Sequence, residues 1–261
     1  MWIDSHCHLD ASEFDADRDT VAADAQAASV SRIVIPSVGR VNFDRVRTLA
    51  HRVPGGAYAL GIHPLFTPQT SEADLLTLRT EIEASLNDPL FVGVGEIGLD
   101  YFVPDLDDTR QQYFYDEQLK LAREFDLPAI CHVRKSQDKV LKGLRRFGIR
   151  IGIAHAFNGS FQQADAFIAQ GFKLGFGGNV TFERAKQIRR LAEQLPIEAI
   201  VLETDAPDIA PAWQYKQRNT PAQVARIGEV LAQLRGIDAE RCAERTSANS
   251  LAALPRLAGI A

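Results

Sequence analysis

At 261 residues the chain is long enough for one α/β barrel or two small domains, and 46% hydrophobic with 24% charged residues and no low-complexity tract excludes disorder. A formal net charge of −5 gives no whole-surface basic field of the kind that holds nucleic acid by counterion release, so any polyanion must be caught locally. The start Met1-Trp2-Ile3-Asp4-Ser5-His6 is no basic, apolar leader and no segment offers roughly 18 consecutive apolar residues, which places the protein in the cytoplasm without membrane contact.

Eight β-rich runs follow one another in chain order: Met1–His6, Arg32–Ser37, Ala57–Ile62, Phe91–Glu96, Pro128–His132, Arg150–His155, Phe172–Phe176 and Ala199–Glu203. Stretches of helical periodicity separate them, as in Thr109–Phe125, where Phe114, Leu119, Leu121, Ala122 and Phe125 share one face. Such alternation demands parallel strands with helical crossovers, and eight repeats favour closure into a (β/α)₈ TIM barrel over an open sheet. After the eighth run, Thr220-Pro221 opens a helix that stops near Gly236, and Asp238 caps another that ends before Pro255. Proline and glycine nowhere cluster into a linker, so residues 1–261 read as a single domain. The longest irregular segment, Asp208–Asn219, carries Trp213, Tyr215, Lys216 and Arg218.

Of six histidines, five (His6, His8, His63, His132 and His155) fall at or just past the ends of predicted strands. In a barrel those ends converge on the face that carries catalysis. His6 and His8 stand two apart, which aims both imidazoles to one side of a strand. A lone pair of this kind is weak, but with Glu96, His132, His155 and Asp205, each at another strand end, it makes a metal site. Six ligands exceed the needs of one tetrahedral ion, so two divalent cations are expected. Glu96 bridges in this reading, with His6, His8 and Asp205 on one ion and His132 and His155 on the other. Asp205 also accepts the proton of the attacking water.

By strand parity Asp4 and Glu203 face inward below His6 and Asp205, where they orient the ligands or form buried ion pairs. His63, outside the six, contacts substrate or bonds a loop carbonyl. Arg134, two after His132, offers a fork to a phosphate. Gly175–Asn179 is either a phosphate cradle or a tight turn, and Lys216 and Arg218 add local positive charge or are solvated. Cys7, Cys131 and Cys242 form an odd set without metal-knuckle spacing, and structural burial is expected of them.

The motifs Asp4-Ser5-His6-Cys7-His8-Leu9-Asp10, Gly61-Ile62-His63-Pro64, Gly95-Glu96-Ile97-Gly98-Leu99-Asp100, His132-Val133-Arg134 and Leu202-Glu203-Thr204-Asp205-Ala206-Pro207 resemble, in order and spacing over nearly the whole chain, the TatD family of metal-dependent hydrolases. The Thr204–Asp208 wording and the missing Arg-Gly pair before Asn219 are most similar to its YjjV-type branch. The resemblance implies a barrel of the amidohydrolase superfamily with phosphodiesterase or deoxyribonuclease activity. It also matches the six proposed ligands one for one. Mg²⁺ is the assay metal it implies, Mn²⁺ is a further candidate, and an imidazole-rich site should hold Zn²⁺ more tightly than Mg²⁺. Leu65, Ala156-Phe157-Asn158-Gly159 and Trp213–Gln217 depart from the family pattern around the substrate, not the metals.

The expected substrate is DNA, at single-stranded ends, or another phosphodiester held transiently, with Tyr101, Phe102 and Trp213 as base-stacking candidates. A monomer without an obligate protein partner suffices. A second reading is ester or amide hydrolysis such as D-aminoacyl-tRNA deacylation, which family relatives make plausible. A third is a metal-stabilised binding protein without turnover.

Overall fold

The computed structural model describes residues 1–260 and contains one sheet of eight parallel strands in sequential order. These are β1 Trp2–Asp4, β2 Val30–Pro36, β3 Gly56–Leu60, β4 Phe91–Asp100, β5 Ala129–Arg134, β6 Gly152–His155, β7 Phe172–Phe176 and β8 Ile200–Leu202. The α-helices are α1 Arg18–Ala27, α2 Phe43–Arg52, α3 Glu72–Ser85, α4 Asp108–Glu124, α5 Gln137–Phe147, α6 Phe161–Ala169, α7 Lys186–Gln194, α8 Gln223–Arg235 and α9 Ala239–Ala253. Strands β8 and β1 share no regular ladder. The circle closes through Ser5 N–H donating to Leu202 O (3.0 Å), Asp205 N–H to His6 O (2.9 Å) and Thr204 N–H to the Asp4 carboxylate (2.9 Å).

Successive side chains on a strand point to opposite faces, and the apolar residues divide accordingly. Ile33 and Ile35 pack outward under the helices, while Val34 between them points inward. The lower barrel interior is filled by Val34, Ala57, Ala59, Val92, Ile130, Ile153 and Val201, and Leu254, Leu257 and Ile260 of the C-terminal segment pack against them. Arg256 fastens that plug by donating to Leu86 O (2.9 Å) and Asp88 O (2.6 Å). Ladders and plug together leave the upper, C-terminal end of the barrel to polar side chains.

Several boundaries differ from expectation for identifiable reasons. β1 pairs only to Asp4; beyond it the chain bends at Ser5 and is held in place by Cys7 N–H bonding Val34 O (3.0 Å) and His8 N–H bonding Ala206 O (2.8 Å). β4 runs four residues past Glu96, because Gly98 at φ 145° lets the backbone close on the His132 carbonyl and keep pairing with β5. α4 starts one residue before Thr109, with Asp107 Oδ1 accepting the Arg110 N–H (3.0 Å). α8 begins at Gln223, so Thr220-Pro221 makes a preceding turn through its carbonyls, and Thr220 does not cap the helix with its side chain. α8 stops at Gly236 in the left-handed conformation, and Asp238 caps α9 through the Arg241 N–H (2.7 Å). Among the described residues no helix is long and apolar enough to cross a membrane.

Candidate metal centre

The C-terminal strand ends bring His6, His8, Glu96, His132, His155 and Asp205 together, and His63 joins them. Glu96, on β4 and 1% exposed, divides its oxygens between two sets of imidazoles. Its Oε2 lies 3.1 Å from His6 Nε2 and 3.4 Å from His8 Nε2. Its Oε1 lies 2.9 Å from His132 Nδ1, 3.3 Å from His63 Nε2 and 3.8 Å from His155 Nε2. Asp205 Oδ1 stands 3.7 Å from Nε2 of each of His6, His8 and His155. Three groups have the spacing to hold an ion: His6, His8 and Glu96; His6, His155 and Asp205; and His63, Glu96 and His132. His155 therefore sides with His6, stacked on it at 3.6 Å between ring centres, and stands apart from His132 at 6.3 Å. This differs from the expected division, because β6 delivers His155 beside β8 and β1 while His132 leans toward β4.

Two outer carboxylates fix imidazole orientation. Asp100 Oδ2 faces His132 Nε2 at 2.9 Å, and Glu203 Oε1 faces His155 Nδ1 at 3.1 Å while also accepting the Ala156 N–H at 2.6 Å. A proton directed to such a carboxylate leaves the opposite ring nitrogen free to bind a metal. Glu203 thus serves His155, not Asp205. Asp4 touches no imidazole: it accepts from Thr204 N–H, Thr204 Oγ1–H (2.6 Å) and His6 N–H (3.3 Å), holding the two ligand-bearing strands together. Asp100 is absent from the sequence-based set, yet it shares the inward parity of Glu96, and the rule that singled out Asp4 and Glu203 reaches it once β4 is given its full length.

Burial and crowding set the charges. Burial would raise the Glu96 carboxyl, but His63, His6, His132 and His155 hold it well below the usual range. Burial pushes Asp205 up to about 6 against the pull of His155 and His8, and Asp4 up to about 8 despite its bonds to Thr204. Burial acts to lower His155, but Glu203 and Asp205 overcome it and bring the imidazole to about 10. His8 reaches about 9, where Glu96 and Asp205 overcome burial. Asp100 falls to about 2, with His132 and the Phe102 and Val103 N–H groups outweighing burial. Burial takes His63 down to about 4. Acids pushed up beside imidazoles that hold protons mark a pocket rich in negative charge.

A divalent cation fits this pocket. Glu96 Oε2 is buried without a hydrogen-bond partner, and it faces the Nε2 atoms of His6 and His8, which can turn lone pairs toward the same point. Imidazole with carboxylate is the donor set of zinc, manganese and related ions. His63 is different, because its Nδ1 accepts the Leu65 N–H (3.1 Å) and the neutral ring must then carry its proton on Nε2. That nitrogen points at His132 and Glu96 as a donor, which suits contact with an anionic substrate better than ligation.

The cluster opens into a cavity of about 640 Å³ lined by His132, His155 and Asp205 below, and by Phe102, Arg134 and Lys135 at the rim. Arg134 lies 3.9 Å above the Phe102 ring and Lys135 Nζ 4.8 Å from it. Arg218 points elsewhere, paired with Asp17 (2.6 Å) and set on Phe14, so it anchors the loop. Trp213 packs under Arg226 and donates to Gln223 (2.8 Å), and Tyr101 is half-buried, which leaves Phe102 as the exposed ring among the three stacking candidates. In the glycine run, a Cβ on Gly175 would stand 2.1 Å from Glu203 Oε2, so this residue gives room to the carboxylate that holds His155. Cys7, Cys131 and Cys242 are buried and unpaired, as expected of structural cysteines, and His51 sits far from the centre in a pair with Asp88 (2.8 Å).

A family model described as TatD related DNase matches residues 3–255. A metal-dependent hydrolase of Escherichia coli K12, YjjV, named as uncharacterized, is 40% identical over 93% of both chains. The crystal structure of YjjV, a TatD homolog from the same bacterium, superposes with a TM-score of 0.93 at 39% identity, covering 97% of this chain and 98% of that one. A putative deoxyribonuclease of Danio rerio, tatdn3, is 32% identical over 98% of both chains.

Proposed function

The chain belongs to the TatD family of metal-dependent hydrolases, and from that premise we propose that it cleaves phosphodiester bonds at the ends of single-stranded DNA with two divalent ions. The observation that carries this reading is the joining of an imidazole–carboxylate cluster, split by the two oxygens of Glu96, to a cavity rimmed by Arg134, Lys135 and Phe102. The chain is acidic overall, so this rim supplies the local positive charge that a phosphodiester requires.

Glu96, His6, His8, His155 and Asp205 would hold one ion, and Glu96 and His132 the other. Bound there, the ions would acidify a water and neutralise charge on the phosphate. Asp205, raised toward neutrality by its burial, is placed to take the proton of the attacking water. The Nε2 proton of His63, which points at Glu96 and His132 in the free site, would pass to a phosphate oxygen in the complex, and Arg134 offers its guanidinium fork from the rim. Glu203 and Asp100 keep two imidazoles from turning, and the buried walls around Glu96 limit bulk water.

The test strips the protein of metal, reloads it in turn with Mg²⁺, Mn²⁺, Zn²⁺ or Co²⁺, and supplies end-labelled single-stranded DNA and bis-p-nitrophenyl phosphate. Wild type should turn over at least one of them, and Asp205→Asn should lower kcat by about a hundred-fold or more. Stoichiometric metal binding with both substrates left intact would overturn phosphodiester chemistry and direct the assay to D-aminoacyl-tRNA.

A further inference from the structure

Beside the metal cavity lies a second one of about 740 Å³, and the two share Asn158, Asn179, Asp208 and Ile209 as a common wall. Its far side is built from Phe182, Arg184, Tyr215 and Lys216. The Phe182 and Tyr215 rings meet edge to face at 5.9 Å. Arg184 lies 5.5 Å from the first ring and 5.8 Å from the second, and Lys216 Nζ lies 5.5 Å from Tyr215. Tyr215 is 55% exposed, so an amphipathic ring stands in water with two cations beside it. Flat ligands stack on such rings, and phosphates pair with such cations.

The cleft is preformed. Its loop is tied at one end by Asn219 Nδ2, which donates to Thr204 O (2.9 Å) and Asp208 O (3.0 Å), and by the Arg218–Asp17 pair. Inside the loop, Gln217 N–H bonds Gln214 O (2.8 Å), and Ile209 and Lys216 hold left-handed backbone at φ 43° and 62°. A loop ordered in advance loses little entropy when it binds. The Asp208 carboxylate on the shared wall repels phosphate, which leaves the cations on either side, Arg134 and Lys135 or Arg184 and Lys216, as the places where phosphates settle.

We propose that this cleft is a second nucleotide subsite, in which Tyr215 and Phe182 stack a base of a single strand while Arg184 and Lys216 hold its phosphate as the strand's end lies over the metal centre. The inference rests on the phosphodiesterase reading for the strand's position and adds a requirement for length. Mononucleotide-sized substrates fill the metal cavity alone, and a longer strand reaches over the shared wall.

Equilibrium binding tests it without turnover. Fluorescence anisotropy with labelled oligothymidylates of two to six nucleotides is read on metal-loaded Asp205→Asn protein, where cleavage is suppressed. Affinity should rise at least about five-fold with length, as one added stacking contact provides. Tyr215→Ala and Arg184→Gln should flatten that dependence, and Tyr215→Phe should restore it. Affinity independent of length, a length dependence untouched by either substitution, or equal affinity for a blunt duplex would each overturn the subsite. Wild-type hydrolysis of bis-p-nitrophenyl phosphate reports separately on the phosphodiesterase reading. Hydrolysis with flat length dependence removes the subsite alone, and length-dependent binding lost in Tyr215→Ala keeps it even where hydrolysis is absent.

Discussion

Glu96 shows how one residue can organise a site: a carboxylate 1% exposed keeps its charge only because imidazoles face both of its oxygens. The ligands in turn depend on residues that will touch neither ion nor substrate. Asp100 orients His132, and its conversion Asp100→Asn removes the charge behind the imidazole while retaining an acceptor for Phe102 and Val103. Metal affinity should fall about 10- to 100-fold, read by calorimetric titration of the stripped protein with Mn²⁺ or Zn²⁺. An unchanged affinity would reduce Asp100 to a turn residue. Its role was missing from the sequence reading because β4 was expected to stop at Glu96; parity identifies inward residues only as far as the strand extends.

Between elements, the polar joints lie where helix and strand meet. Asp88, in the turn between α3 and β4, accepts from Tyr58 Oη on β3 (2.8 Å), the Leu90 N–H (3.0 Å) and His51 Nε2 on α2 (2.8 Å). Burial would raise its carboxyl, but these bonds hold it below the ordinary value. A depressed acid contributes stability above its unfolded value of about 3.9 and loses it as pH falls through the folded one. The Tm deficit of Asp88→Asn relative to wild type should therefore be largest near neutral pH and shrink from about pH 5 to about pH 3. A deficit constant over that range would show that the charge does not matter. At this scale periodicity and caps were legible in the sequence: α9 begins after Asp238 and α8 ends at Gly236, because cap chemistry is local. Thr220 failed as a cap since its neighbours engage through backbone carbonyls one turn early.

Across the whole molecule the barrel has two ends with different tasks. The lower end is sealed by Leu254, Leu257 and Ile260 against small and branched interior residues, and the upper end gathers the charges. Leu257 is fully buried, so Leu257→Ala should cost about 2–5 kcal/mol in urea unfolding. Metal affinity should stay within experimental error, since distant independent sites add. A large loss of metal binding would mean that plug and site are coupled. The sequence alone determined the order of eight strands, the family and the six residues that converge, because strand period and short motifs are local and barrel closure sends every strand end to one face. Only the tertiary structure decided that His155 sides with His6 and Asp205, that Asp100 and Glu203 hold His132 and His155, and that Arg218 is an anchor while Arg184 and Tyr215 line a cleft. Those pairings depend on strand twist, side-chain direction and loop packing between segments far apart in the chain, and no local pattern encodes them.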